Sequence, residues 1–132
     1  MIETKKEEIE RVSWNLRQLL IYDIGDLLRS ASVQYVKRNY AKVFDYLKAA
    51  KMRVVAYLNA EEIQKLADME IKAYGYINAT KPTGFNTLSE DTKKNQKDLW
   101  LILDSYNNLL FSLLKKYGLL IPIQEDLTKL KF

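Results

Sequence analysis

The apolar positions of this 132-residue chain form two long series in which the spacing alternates between three and four residues. Such spacing places each series along one face of an α-helix. One series lies within residues 33–57 and the other within residues 99–117. The first comprises Val33, Val36, Tyr40, Val43, Leu47, Ala50, Val54 and Tyr57, and the second comprises Leu99, Leu103, Tyr106, Leu110, Leu113 and Tyr117. The pattern predicts an all-α protein, an antiparallel bundle of four main helices plus a short C-terminal helix.

The first predicted helix covers residues 4–24. Its apolar positions again recur at helical spacing, and they are Ile9, Val12, Leu16, Leu19 and Leu20. Residues 23–26 include Gly25 and Asp26. Glycine inside a helix costs roughly 1 kcal/mol relative to alanine, and aspartate is a favourable N-cap. This segment therefore predicts either a break before a new helix or a kinked continuation.

The second predicted helix covers residues 27–58, because the first series continues through it without interruption. The third begins after Asn59, which together with Glu62 forms a variant of the capping box. We expect this helix to end near residue 76 or 78. A loop over residues 79–87 follows, in which Pro82 and Gly84 favour a turn.

The fourth predicted helix starts at a capping box formed by Thr87 and Glu90. It ends at Tyr117, where Gly118 supplies a C-cap. The short C-terminal helix, over residues 124–131, is expected to pack Leu127 and Leu130 back onto the bundle.

The fourth helix is apolar around most of its circumference. Additional large side chains flank its main series: Trp100, Ile102, Leu109, Phe111 and Leu114. A helix of this kind is usually buried on several sides. It is either the central helix of the bundle, which we favour, or a helix that also faces a protein partner or a second subunit of a homodimer.

The composition limits the possible chemistry. The chain has the length of one domain, which we assign to residues 1–132. It contains no cysteine and no histidine, so Ser–His and Cys–His nucleophile pairs and zinc–thiolate sites are excluded. A Ser-x-x-Lys pattern at Ser112 and Lys115 lacks the companion motifs of the enzymes that use it. We predict that the protein is not an enzyme and needs no cofactor or metal.

Positive charge is concentrated in one part of the chain. The net charge is +4, yet residues 29–53 hold seven basic residues against one acid, Asp45. Lysines and arginines along a helix can follow a phosphate backbone, and tyrosines can stack on bases. The candidate anion or nucleic-acid surface comprises Arg29, Lys37, Arg38, Lys42, Lys48, Lys51, Arg53, Tyr35 and Tyr46. A solvated helix face has the same composition and remains the alternative.

These observations favour a helical interaction module, such as an adaptor, an inhibitor or an assembly subunit, that binds protein partners through helix faces. The alternative is a nucleic-acid-associated protein that uses residues 29–53. The N-terminus has no apolar stretch of signal-peptide length and no segment reads as a membrane span, so we expect a cytoplasmic protein without a membrane partner.

Overall fold

The computed structural model describes residues 4–79 and 90–120 of the chain. Four helices account for most of these residues: α1 (Lys5–Val36), α2 (Tyr40–Val54), α3 (Ala60–Ala79) and α4 (Glu90–Lys116), with a 3₁₀ turn at Val55–Tyr57. The predicted all-α bundle is confirmed, and the described ranges contain no strand. The capping residue Thr87, most of the loop over residues 79–87 and the C-terminal helix over residues 124–131 lie outside the described residues.

Helix α1 is longer than the sequence indicated. A capping box starts it, in which the Glu7 amide donates to Thr4 Oγ1 and the Thr4 amide donates to Glu7 Oε2, both at 3.3 Å. The helix then passes through Gly25 without a break, so the alternative of a new helix capped by Asp26 is wrong. Ile24 and Leu28 are fully buried on either side of this glycine. Their packing outweighs the low helix propensity of one glycine.

The single helix predicted over residues 27–58 is also wrong. The chain reverses at residues 37–39, where Arg38 has a φ of 57°. The Arg38 amide donates to the Tyr35 carbonyl and the Asn39 amide to the Gln34 carbonyl, both at 2.9 Å. This pair of bonds forms a Schellman motif with an arginine in the position that usually holds glycine.

The reversal divides the first apolar series between two helices. Its α2 members from Val43 to Val54 are buried, whereas Val33 and Val36 on α1 are 51 % and 80 % exposed. Spacing alone could not reveal this division, because the three-and-four alternation continues across the turn. The residues before and after the turn therefore do not share one face.

The core lies where two helical hairpins meet. Helix α1 packs on α2, α3 packs on α4, and α2 also contacts α4. The second apolar series is confirmed as a core face, since all its members are buried except the half-buried Tyr117. Helix α4 thus contacts two neighbouring helices, and an exposed strip that includes Leu101 remains along its outer side.

The caps predicted at Asn59 and at Gly118 are both present. The Glu62 amide donates to Asn59 Oδ1 at 2.8 Å, and the Asn59 amide donates to Glu62 Oε1 at 2.9 Å. At the end of α4, Gly118 has a φ of 65°, and its amide donates to the Lys115 carbonyl at 3.0 Å. The Leu119 amide completes a second Schellman motif on the Leu114 carbonyl.

Candidate interaction surface

The N-terminal half of α1 is not covered by the described part of the bundle. Helix α1 has 32 residues and its packing partner α2 has 15. At 1.5 Å per residue, α2 is less than half as long as α1. Every residue from 5 to 17 is exposed, and the first buried residue of α1 is Ile21.

This uncovered half carries an apolar face, which we call the α1 stripe. It consists of Ile9, Val12, Leu16 and Leu19, which are 60 %, 48 %, 60 % and 65 % exposed. Their spacing of three, four and three residues aligns them along one side of the helix. Isolated exposed apolar residues are common on proteins, whereas a contiguous row of four on one helix face is less common. Trp14 and Tyr22 are also exposed and lie on other sides of the helix.

The spacing of the α1 stripe continues at both ends with charged residues. Lys5 lies four positions before Ile9, and Asp23 lies four positions after Leu19. Asp23 accepts a hydrogen bond from Arg53 Nε at 2.7 Å, and its side chain remains 46 % exposed. A shallow groove of about 350 Å³, lined in part by Lys5, Ile9 and Val12, marks the N-terminal end of the stripe.

Arg17 fixes this half of α1 to the end of α4. Its Nη2 donates to the Tyr117 carbonyl at 2.8 Å and to the Gly118 carbonyl at 2.9 Å. These carbonyls follow the last turn of α4, where backbone acceptors lack helical partners. Arg17 lies on the side of α1 that continues its core face, so the bonds leave the α1 stripe uncovered.

The partner surface predicted on α4 does not exist as one patch. Phe111 and Leu114 are 2 % and 0 % exposed, so they belong to the core and cannot meet a partner. Their prediction as surface residues is wrong because both side chains belong to the core cluster that the helices enclose. Trp100, Ile102 and Leu109 are half-buried. Ile102 and Leu109 pack against the core, and helical spacing places Trp100 on a different side of α4 from these two.

The basic stretch is likewise not a continuous row. Lys51 is 6 % exposed, and its Nζ lies 2.9 Å from Glu70 Oε2, so its assignment to an anion-binding surface is wrong. Arg29 pairs with Asp26 on its own helix, and Arg53 pairs with Asp23 on α1. These three cations are therefore already neutralised by carboxylates.

The other members of that stretch have mixed surroundings. Lys48 donates to the Tyr74 hydroxyl, and this bond raises the pKa of Lys48. The exposed cations are Lys37, Arg38 and Lys42, at or just after the turn between α1 and α2. Tyr35 and Tyr46 are half-buried and pack against the core. Each ring therefore has less exposed surface on which a base could stack than a fully exposed tyrosine would have.

A groove at the start of α2 combines cationic and aromatic side chains. It has a volume of about 370 Å³ and is lined by Tyr40, Lys93, Gln96, Lys97 and Trp100. Among the side chains of residues 4–79 and 93–120, none that lines the groove is acidic. Tyr40 is the first residue of α2. In the chain, the exposed cations Lys37 and Arg38 precede it and the exposed Lys42 follows it.

A buried polar cluster joins α2, α3 and α4. Glu70 on α3 accepts from Lys51 Nζ on α2 and from the Tyr106 hydroxyl on α4, the latter at 3.1 Å. Burial first, and the adjacent Glu70 charge second, raise the pKa of Tyr106. All members of the cluster are enclosed, so it has no route to a substrate, and its role is to fix three helices relative to one another.

A second cluster connects the start of α3 to the end of α4. Glu62 accepts from Lys116 Nζ at 2.8 Å and from the Tyr117 hydroxyl at 2.5 Å, in addition to its capping bond. These bonds, that from Lys116 foremost, lower the pKa of Glu62 from 4.5 to about 2. The same carboxylate raises the pKa of both Lys116 and Tyr117.

Along the third helix, Glu61, Glu62, Asp68 and Glu70 alternate with Lys65 and Lys72, a pattern typical of a solvated, ion-paired helix face. That interpretation holds for the exposed Glu61 and Asp68, and it is wrong for Glu62 and Glu70, which are both 8 % exposed. Their partners lie on other helices, and spacing within one helix carries no information about them. For the α1 stripe, the sequence predicted an apolar helix face, but it did not predict that this face is exposed.

Among the side chains of residues 4–79 and 93–120, no three acidic groups come together in a cluster that could bind a metal ion. No described helix has an apolar window long enough to cross a membrane.

Comparison with known proteins gave no match: no protein family, no curated protein and no solved structure is significantly similar to this chain.

Proposed function

We propose that this protein is a non-enzymatic interaction module that binds another polypeptide chain through the α1 stripe. The observation that carries the proposal is the exposure of Ile9, Val12, Leu16 and Leu19 on a regular helix. Burial of apolar surface is the main favourable term in protein association. An amphipathic helix that presents residues at this spacing uses a recurrent mode of protein recognition.

The position of the α1 stripe supports the same function. The hydrogen bonds of Arg17 attach this half of α1 to the end of α4, so the stripe lies on a helix that is anchored to the rest of the bundle. A helix fixed in advance loses less conformational entropy on binding than a segment that must first fold. The stripe is therefore arranged for binding before a partner arrives.

Photo-cross-linking at one stripe position tests the proposal. A photoreactive amino acid replaces Leu16 in the intact chain, and a matched variant carries it at Ile71, which is 70 % exposed on α3. We expect a cross-link to a second polypeptide chain from position 16 and little from position 71. The proposal is wrong if position 16 gives no adduct, or only cross-links within its own chain.

A second candidate function is nucleic-acid binding, which the groove of Tyr40, Lys97 and Trp100 favours. Aromatic side chains beside lysines are typical of surfaces that bind single-stranded nucleic acid. Such binding should weaken by orders of magnitude as salt rises from about 50 to about 200 mM.

Fluorescence anisotropy with a labelled single-stranded oligonucleotide measures this second candidate directly. The Lys42→Glu/Lys97→Glu variant should lose the binding, while Lys65→Glu on α3 should retain it, since Lys65 is exposed and pairs only with Glu61 of its own helix. Equal binding by both variants, or no dependence on salt, would exclude this function.

A further inference from the structure

The α1 stripe and its two flanking charges are symmetric about residue 14. Ile9 and Leu19 are equally far from this position, and so are Val12 and Leu16. Lys5 and Asp23 are also equally far from it, at the next positions of the same helical face. A face with this symmetry can meet a copy of itself running in the opposite direction, which is the self-complementarity that a two-fold interface requires.

Antiparallel pairing places complementary side chains opposite each other at every level. Ile9 meets Leu19 of a second copy, and Val12 meets Leu16, so the contact contains four apolar layers. The spacing of three, four and three residues is that of the a and d positions of a coiled coil, whose side chains interdigitate between helices. All four stripe residues are about half exposed or more in the single chain, so each has surface left to bury.

The charges at the ends of the α1 stripe select this orientation. In the antiparallel pair, Lys5 of each chain lies opposite Asp23 of the other, which closes both ends of the interface with opposite charges. In a parallel pair, Lys5 would face Lys5 and Asp23 would face Asp23, and like charges at facing positions are unfavourable. The exposed part of Asp23 is available for this contact, because Arg53 engages its Oδ2 from one side.

We infer that two copies of this chain associate through antiparallel α1 stripes to form a homodimer with its two-fold axis near residue 14. This inference rests on the proposed function, since it names the partner of the same surface. The dimer would place the interface on α1, away from the helix α4 that the sequence singled out.

Sedimentation equilibrium of the purified full chain tests the dimer. The native protein should be dimeric at high concentration and dissociate on dilution. Leu16→Glu should raise the dissociation constant about 100-fold or more, because two unpaired carboxylates would be buried at the centre of the interface. Ile71→Glu, which adds the same charge at an exposed apolar position on α3, should leave the constant unchanged. Circular dichroism establishes that both variants keep the native helix content.

The possible outcomes distinguish a failure of the dimer from a failure of the proposed function. A native protein that stays monomeric at submillimolar concentration overturns the dimer. If position 16 still cross-links to a different protein, the interaction module stands while self-association fails. A cross-link from position 16 to residues 121–132 of the same chain overturns both, because the chain would then cover its own stripe. Equal dissociation constants for the Leu16 and Ile71 variants would show that the dimer interface is not the α1 stripe.

Discussion

At the scale of single residues, the most informative contact is the ion pair between Lys51 and Glu70. The two side chains are only 8 % and 10 % exposed, and their closest atoms are 2.9 Å apart. A buried pair of this kind contributes little relative to well-packed apolar residues, yet removing one partner leaves an uncompensated charge in the core. The ion pair therefore contributes mainly to specifying how α2 packs on α3.

We predict that Lys51→Met lowers the free energy of unfolding by about 3–5 kcal/mol. The double variant Lys51→Met/Glu70→Leu should recover most of that loss, because no buried charge remains. Urea denaturation measures both variants, and Lys65→Met, which breaks only an exposed pair with Glu61, is a control expected to change stability by less than about 1 kcal/mol. A small effect of Lys51→Met alone would show that the pair is open to water.

A second residue-scale prediction concerns Asn107, which is fully buried on α4. Neither its Nδ2 nor its Oδ1 has a hydrogen-bond partner among the described residues. A buried amide without partners is unfavourable by about 1–3 kcal/mol. Asn107→Leu, of similar size, should therefore raise the free energy of unfolding by about 1 kcal/mol or more in urea denaturation. A decrease in this free energy instead would show that the amide has hydrogen-bond partners.

At the scale of elements, Glu62 connects the first turn of α3 to the last turn of α4. Its carboxylate has a folded-state pKa of about 2, below the ordinary 4.5, because Lys116 and Tyr117 bond to its charged form. The unfolded chain takes up the proton first as the pH falls. The stabilisation by this group is therefore complete above the ordinary pKa and is lost progressively as the pH decreases toward 2.

We predict that Glu62→Gln is less stable than the native protein at neutral pH, and that the difference shrinks as the pH falls from about 5 to about 2. Thermal unfolding at several pH values measures the two curves. Glu61→Gln is the matched control, because Glu61 is 78 % exposed in its side chain and should give a curve parallel to that of the native protein. A constant gap between Glu62→Gln and the native protein would contradict the assigned contacts.

Sequence patterns predicted those elements whose signals are local. The Asn59–Glu62 box marked the start of α3, and Gly118 marked the end of α4, because both caps involve residues close in the chain. The turn at Arg38 escaped detection, since neither glycine nor proline occurs there and the apolar spacing continues through it. Asn39 after this arginine was the one available signal, because asparagine is a favoured N-cap.

The candidate site was harder to predict than the fold. The residues of the α1 stripe were recognised as an apolar helical face, but whether a face is buried depends on the length of its packing partner. That length became known only when the turn at residues 37–39 shortened α2 to 15 residues. The burial of Lys51 followed from a contact 19 positions away, which no periodicity within one helix contains.

At the scale of the whole molecule, the described bundle is asymmetric. One end holds the core of α2, α3 and α4, and the N-terminal half of α1 extends past the end of α2 with its apolar face uncovered. Antiparallel association of two such halves would bury both stripes at once and leave each core unchanged. The overlap from residue 5 to residue 23 would be roughly 28 Å long at 1.5 Å per residue.

Cysteine cross-linking tests the antiparallel arrangement most directly, since the native chain has no cysteine. Ser13 lies one position from the proposed axis, so two copies of Ser13→Cys would be about 3 Å apart along the helix direction, whereas two copies of Glu8→Cys would be about 18 Å apart. Both side chains lie beside the interface, so a short bifunctional thiol reagent is used rather than direct oxidation. We predict that this reagent rapidly joins two copies of Ser13→Cys covalently and leaves Glu8→Cys as single chains on a denaturing gel. Rapid cross-linking of Glu8→Cys, or none of Ser13→Cys, would contradict the account.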